Sequence, residues 1–447
     1  MQAVIMAGGM GTRLAAITQG ALPKPMAPVL ARPILEHQIE AIKKYGITDI
    51  ILIVGHMREI IINHFGDGSK FGVNIRYVEE EQPLGTAGGL YYIKELVKDD
   101  FFLIYGDNIF DIDLNRMMKF HKDKRATITM LIKPNSHPYD GDLFFYDSAC
   151  RVNSFSPKNE PREGYYLNSV NLAFYVFSPN MLKHIESPIK LDMEKDVIVP
   201  NLAEEEVFAY LTSEYIEDVG TAPRIATASI DLFSGVVAAR NISNKRSVLL
   251  VDSENVVFNF LNDEANIHMV EVNKDIAKFL REFNKSKYVV QVGINLTSYQ
   301  NRGFSEDDVL ALQRKLDTTL GVEGAYFDGY TLFDEGEEIK LPYPAEITMI
   351  NSKTELDKIG DSVKAENRKN ILDFHKSNGV EFEDEASVTI APTVHIGKGT
   401  KLGKNNTIVG GSIIGKNVIL KANNHIEDSI VEEGNVLDGV RLEKTRM

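Results

Sequence analysis

Seven aliphatic residues late in the chain, Ile390, Ile396, Leu402, Ile408, Ile414, Leu420 and Ile426, recur at a strict spacing of six. That period matches neither the 3.6-residue turn of a helix nor the two-residue alternation of a strand. It matches a parallel β-helix, where each short face turns one aliphatic side chain inward and then rounds a corner. Small residues follow four of the seven: Ala391, Gly397, Gly403 and Gly415. Residues 386–442 would make only about three coils, near the smallest number that buries a continuous core. The open edges of such a stack are expected to rest on another part of the chain or on another subunit.

Most of the preceding sequence reads as α/β. Short runs rich in β-branched residues over 3–6, 50–54, 75–78 and 101–105 alternate with amphipathic stretches over 34–45, 59–65 and 87–96. That alternation is the pattern of a parallel sheet flanked by helices, and the first unit is placed at 1–230. A second, smaller α/β unit is expected over 245–335, with strands at 247–252 and 288–292 and a helix at 276–283. A further helix starts at Ser305, where Glu306, Asp307 and Asp308 supply the acids of a first turn. Residues 336–380 are expected to be a linker, marked by Pro342 and Pro344, and then a charged helix.

The formal net charge of −15 repels nucleic-acid backbones and anionic lipid, so neither is an expected partner. An anionic substrate would need a local basic pocket or a divalent metal. Cys150 is the only cysteine among 447 residues; it excludes an intramolecular disulfide and a Cys-cluster zinc site and suits a reducing, cytoplasmic setting. The apolar start of the chain reads as a first strand, not a signal peptide. No apolar run approaches the ~20 residues of a membrane-spanning helix.

The densest chemical signal directly follows the first strand: Ala7-Gly8-Gly9-Met10-Gly11-Thr12-Arg13. Glycines there let the backbone approach a ligand and turn N–H groups into a concavity that suits anions. Arg13 adds a permanently charged donor fork, and Pro23-Lys24-Pro25 a second cation on a stiff backbone. The loop lacks the Gly-Lys-Ser/Thr of a Walker A loop, and Leu14 stands where a dinucleotide fingerprint needs a glycine.

Further along come Thr18, Gln82-Pro83-Leu84-Gly85-Thr86-Ala87, Gly106-Asp107, Asn171 and Asp218-x-Gly220-Thr221. With the glycine loop and Lys24 they make residues 1–228 resemble the nucleoside-diphosphate-sugar pyrophosphorylases, or sugar-1-phosphate nucleotidyltransferases. Within that family the chain is most similar to the D-glycero-D-manno-heptose-1-phosphate guanylyltransferase group. The resemblance implies a Rossmann-like nucleotidyltransferase domain that joins a nucleoside triphosphate to a sugar 1-phosphate and releases pyrophosphate. GTP with a heptose 1-phosphate is the leading pair; hexose 1-phosphates with UTP or dTTP are the alternatives. By the same resemblance Arg13 and Lys24 are catalytic, and Gly8, Gly9, Gly11, Thr12, Gln82, Gly85 and Thr86 bind the nucleotide. Lys158 and Asn171 bind the sugar phosphate, and Asp107 and Asp218 hold Mg²⁺. One departure stands out: the family commonly has Asn-Ala-Gly where this chain has Asn171-Leu172-Ala173, and the added bulk is expected to narrow the sugar pocket. Read singly, some of these residues have plainer explanations: a tight turn for Gly8 and Gly11, a strand-end turn for Asp107, a solvated side chain for Lys158. His37, His56 and His64 lack metal-ligand spacing and are read as structural.

Residues 247–333 resemble a haloacid dehalogenase-type phosphatase, whose chemistry needs two aspartates two positions apart. Here the stretch is Asp252-Ser253-Glu254-Asn255, so a degenerate, inactive phosphatase-like α/β domain is expected. The tail resembles the first coils of the N-acetylglucosamine-1-phosphate uridylyltransferase/acetyltransferase. That implies a left-handed parallel β-helix and a homo-oligomer, a trimer by this resemblance. Two readings compete with the transferase: a non-catalytic nucleotide-sugar-binding regulator, and a weak sugar phosphatase acting through Asp252. Retention of Arg13, Lys24, Asp107 and Asp218 together favours catalysis.

Overall fold

The computed structural model describes residues 1–9, 12–18, 20–158, 160–262 and 265–447. Ala3, Val4 and Ile5 are all fully buried, which requires a central strand covered on both faces. Gln2–Met6 is that strand, lying parallel between Asp49–Val54 and Phe101–Tyr105. Alternate side chains feed two separate cores. Ala3, Ile5, Leu52 and Ile104 pack with Leu35 and Ile39 of the helix Ile34–Lys43 and Met117 of Leu114–Lys124. Val4, Ile51, Ile53 and Leu103 pack on the other side with Leu90, Ile93 and Met181. The two-residue period of the strands thus supplies a three-layer α/β sandwich.

Beyond Phe101–Tyr105 the sheet turns antiparallel through Val170–Phe177, which also pairs with Ile128–Lys133. Asn74–Glu79 closes one edge and the hairpin Leu143–Tyr146/Val152–Ser156 the other. A separate antiparallel pair, Asn108–Asp111 with Tyr215–Asp218, stands at the C-terminal end of the central strands. The stretch expected as a helix at 87–96 is a 3-10 turn, Gly88–Ile93; two successive glycines at its start lower helix propensity.

The second unit is a four-stranded parallel sheet in the order Gly329–Phe333, Val289–Asn295, Arg246–Asp252, Ala345–Ile350. Its last strand lies inside the stretch read as linker. Its prolines and acids disguise a strand whose polar residues Glu346 and Thr348 face solvent while Ile350 is buried. The charged helix follows as Lys353–Ser377, capped by Ser352. The two units are bolted together by Arg240, whose guanidinium pairs with Asp328 at 2.8 Å with both side chains at most 1% exposed. Arg240 also donates to the carbonyls of Ser286, Phe283 and Tyr288.

The tail stacks short parallel strands on three faces. All seven aliphatics at spacing six point inward, none more than 8% exposed. The spacing then breaks. Thr389 faces Thr407, 18 residues on, but His425 faces Arg441, only 16 on. The inward series therefore continues through Val431 and Leu437 rather than on the strict period. One edge rests within the chain, on Ile230 of the helix Ala222–Phe233 and on Ile371, Leu372 and Phe374 of Lys353–Ser377.

Removing one partner of a buried ion pair strands the other charge, at a cost of about 3–5 kcal/mol. Asp328→Ala is expected to destabilise the chain by that amount, seen as a lower urea midpoint; an unchanged midpoint would show that Arg240 is not what joins the two units.

Candidate active site

The site forms where the central strands end. After Met6 the chain turns through Ala7-Gly8-Gly9, and after Tyr105 through Gly106-Asp107. Register brings in the third contributor: Asp218 pairs opposite Asn108, and the Val219 N–H donates to the Asp107 carbonyl at 2.8 Å. Two carboxylates distant in sequence therefore stand side by side. Lys24, at the start of the 3-10 turn Lys24–Met26, reaches between them. It is ion-paired with Asp107, and its Nζ lies 4.0 Å from Asp218 Oδ1. Asp218 in turn accepts from Arg224 at 2.6 Å and from the Gly220 N–H at 2.7 Å. Arg224 also bonds His137 Nε2 at 3.1 Å. A Cβ at position 220 would come within 2.8 Å of Asp218 Oδ1 and 2.9 Å of Lys24 Nζ, so only glycine leaves the lysine its place.

Two clefts meet at this cluster, both bordered by Tyr105 and Asp107. The first, of about 310 Å³, is lined by Gly8, Gly9, Lys24, Glu80, Gly85 and Thr86. Gly85 has φ +77°, and a Cβ there would meet the Leu191 carbonyl at 2.3 Å. Thr86 accepts from the Met193 N–H at 2.7 Å and so fixes the facing loop. Glu80 is 8% exposed with Oε1 lacking a partner among the described residues. Burial pushes its carboxyl up to about 7. The second cleft, of about 270 Å³, is lined by Lys133, His137, Asn171, Leu172, Asp218 and Tyr326, among others. Asn171 donates to Glu194 at 2.9 Å and to the Tyr175 hydroxyl at 2.8 Å, and burial raises Glu194 to about 7. Lys133 is 4% exposed, with Nζ 3.8 Å from Glu217; burial lowers its pKa.

The profile described as nucleotidyl transferase matches residues 2–234, the part of the chain that builds both clefts but for Tyr326. The chain belongs to the nucleotidyl transferase family. It is 31% identical over 254 residues to a mannose-1-phosphate guanylyltransferase of Mycobacterium tuberculosis, covering 56% of this chain and 70% of that relative. It is 31% identical over 239 residues to a UTP–glucose-1-phosphate uridylyltransferase of Synechocystis, covering 50% of this chain and 61% of the relative. Among solved structures it resembles HddC from Yersinia pseudotuberculosis, with TM-score 0.45, 23% identity, and coverage of 52% of this chain and 99% of that one.

In this nucleotidyl transferase, Gly8, Gly9, Lys24, Gly85, Thr86 and Asp107 line the first cleft, and Asp107, Asn171 and Asp218 the second. Arg13 is exposed on the turn Thr12–Leu14, Gln82 is exposed, and neither lines a cleft. Lys158 is also exposed outside them, its backbone N–H held by Asp142 at 3.0 Å. Gly11 and the Thr12 side chain lie outside what the structure describes. Sequence reasoning missed Glu80, Lys133, His137, Lys190, Arg224 and Tyr326, all of which line the clefts. The departure Asn171-Leu172-Ala173 has a backbone consequence: Ala173 sits at φ +52°, in a register break of Val170–Phe177 against Ile128–Lys133. A left-handed conformation costs a Cβ-bearing residue about 1–2 kcal/mol.

Two adjacent carboxylates already gathered around one ammonium suit a hard divalent cation, which needs only one or two protein carboxylates when phosphates supply the rest. An incoming polyanion would compete for Lys24 and free Asp107. Asp252, by contrast, ends a strand of the other sheet and caps its own turn, accepting from the Asn255 N–H at 2.6 Å. Glu254 is paired with Arg302 at 3.3 Å.

Glu80 and Glu194 have folded-state values near 7, above the ~4.3 of an unfolded glutamate. The fold therefore favours their protonated forms. That contribution is complete below the unfolded value and lost as pH rises through about 7. The urea midpoint is expected to fall between pH 5 and pH 8, and Glu80→Gln to flatten part of the fall. Equal midpoints at the two pH values would show that ionising these carboxyls costs nothing.

Proposed function

We propose that the paired clefts transfer a nucleoside monophosphate from a nucleoside triphosphate to a sugar 1-phosphate, with release of pyrophosphate. The observation that carries this reading is the convergence of Asp107 and Asp218 on Lys24 at the seam between the clefts. The relatives' names, a mannose-1-phosphate guanylyltransferase and a UTP–glucose-1-phosphate uridylyltransferase, support the same reaction class.

The triphosphate occupies the glycine-loop cleft and the acceptor the Asn171 cleft. An oxygen of the acceptor phosphate, already ionised at neutral pH, attacks the α-phosphorus; the bond to the β-phosphate bridging oxygen breaks and pyrophosphate leaves. No proton has to be removed from the nucleophile, so the protein's task is positioning and charge neutralisation. Lys24 stands where both phosphates must approach, and the backbone of Gly8 and Gly9 borders the triphosphate. Arg13, on the turn just beyond the loop, meets the leaving pyrophosphate from the solvent side. Lys158 meets the acceptor phosphate from the rim. Asp107 and Asp218 would hold Mg²⁺, which when bound screens the phosphate charges and orients the α-phosphate. Glu80, inside the glycine-loop cleft, borders the base, and Gln82 reaches it only from the exposed loop beside it. GTP is the favoured donor, as the name of the mannose-1-phosphate guanylyltransferase relative suggests. A heptose 1-phosphate is the favoured acceptor, with hexose 1-phosphates next.

A pyrophosphate-release screen of triphosphates against sugar 1-phosphates, with Mg²⁺, tests this. One pair is expected to turn over, with GTP ahead of UTP; no release with any pair would end the transferase reading. Asp107→Asn and Arg13→Ala are each expected to lower turnover by at least ~10²-fold, the scale of losing one key electrostatic group. Wild-type rates in either variant would remove that residue's role.

A further inference from the structure

Among the described residues, the acceptor-side cleft is lined by residues between 105 and 224 with one exception: Tyr326, from the second unit. Tyr326 is 6% exposed, and its backbone is clamped on both sides by Asn284, which donates to its carbonyl at 3.0 Å and accepts from its N–H at 3.4 Å. Its hydroxyl makes no hydrogen bond among the described residues and is not among their fully enclosed, unpartnered atoms. Two residues on, Asp328 accepts from the Val290 N–H at 2.9 Å and is locked to Arg240, at the end of the short helix Val236–Ala239 that packs with Val29 and Val219 of the first unit. The ring is therefore held in place by contacts that belong to the junction of the units.

The same junction fixes the rest of that wall. The helix Glu306–Val322 presents Asp317, 7% exposed, which accepts from the Asn168 N–H at 2.8 Å and from the Tyr330 hydroxyl at 2.5 Å. Its neighbour Thr318 accepts from the Tyr166 N–H at 2.8 Å and donates to the Tyr166 carbonyl at 3.0 Å. Asn168 then brackets Asn135, accepting from its N–H at 3.0 Å and donating to its carbonyl at 2.6 Å. Asn135 and His137 line the cleft, and His137 leads through Arg224 to Asp218. Loops that border the cleft are thus held by hydrogen bonds from a unit beyond the family match at 2–234.

The geometry points to the second unit as part of the acceptor site, with Tyr326 as a specificity-determining contact for the sugar ring of the acceptor; this rests on the transferase reading above. Its ring lines the same cleft as Leu172, and its hydroxyl offers one hydrogen bond to a sugar hydroxyl. Acceptor choice is then set partly from outside the domain that performs the chemistry.

Steady-state pyrophosphate release by full-length wild type, Tyr326→Phe and Tyr326→Ala tests it, with KM measured separately for triphosphate and sugar 1-phosphate. Losing one neutral hydrogen bond corresponds to about 3–10-fold in affinity. Tyr326→Phe, which keeps the ring and the packing, is expected to raise the acceptor KM by about that factor, with the triphosphate KM and kcat within about twofold. Tyr326→Ala is expected to raise it further and to shift preference toward bulkier sugars. Should the alanine variant fail to fold, the phenylalanine variant decides alone. Wild-type acceptor KM and preference in the folded variants would overturn the role of Tyr326 while leaving the transferase reading intact. Absence of turnover by the wild type with every acceptor would overturn both.

Discussion

A single ammonium group between two carboxylates organises this protein. Lys24 can meet Asp107 and Asp218 together only because Tyr215–Asp218 runs antiparallel to Asn108–Asp111, which places residue 218 beside 107 at the end of the central strands. Gly220 must lack a side chain for the lysine to reach that point. The pair sits on the boundary that both clefts share. In a chain of net charge −15, this local balance of Lys24 and Arg224 against two acids is what lets polyanions approach. The long-range field repels them, and short-range pairing must outweigh it within a Debye length of about 8–10 Å.

Much of this was legible from residue order. Gly8, Lys24, Gly85 and Asp107 lie outside the strands and Asp218 ends one, in irregular segments where such residues are not explained by packing a core and so stand out in a sequence. The inward aliphatics of the tail were legible because their period admits one architecture. Other features left no such trace. Glu80 sits in Glu79-Glu80-Glu81, which reads as a solvated acidic run; only the three-dimensional approach of Gly8 and Gly89 shows that the middle one is buried. Arg224 and His137 are isolated residues joined by folding alone. The strand Ala345–Ile350 hid behind Pro342 and Pro344, because an edge strand with one wet face carries only half the apolar signal of a central one. Tyr326 was out of reach for another reason: nothing in its neighbourhood announces which surface of another unit it faces.

The joint between units is built from polar contacts, ionic and neutral. Arg240 and Asp328 are buried to within 1% of full enclosure, and three further N–H hydrogen bonds of Arg240 go to carbonyls of the second unit. Such a joint tolerates only one relative orientation, since a shift of an ångström leaves donors unmatched at high cost. Apolar interfaces slide more readily. The rigidity is what lets a residue of one unit serve as a wall for a cleft in the other.

The shortening of the last coils has a consequence of its own. The coil that falls from 18 residues at Thr389/Thr407 to 16 at His425/Arg441 sheds them at its corners: two residues separate Glu427 from Ile430 where three separate Val409 from Ile413, and three separate Leu437 from Arg441 where four separate Leu420 from His425. The strands stay in step, with His425, Ile426 and Glu427 facing Arg441, Leu442 and Glu443. Tighter corners thus absorb the change in sequence period and leave the aliphatic column inside the faces unbroken.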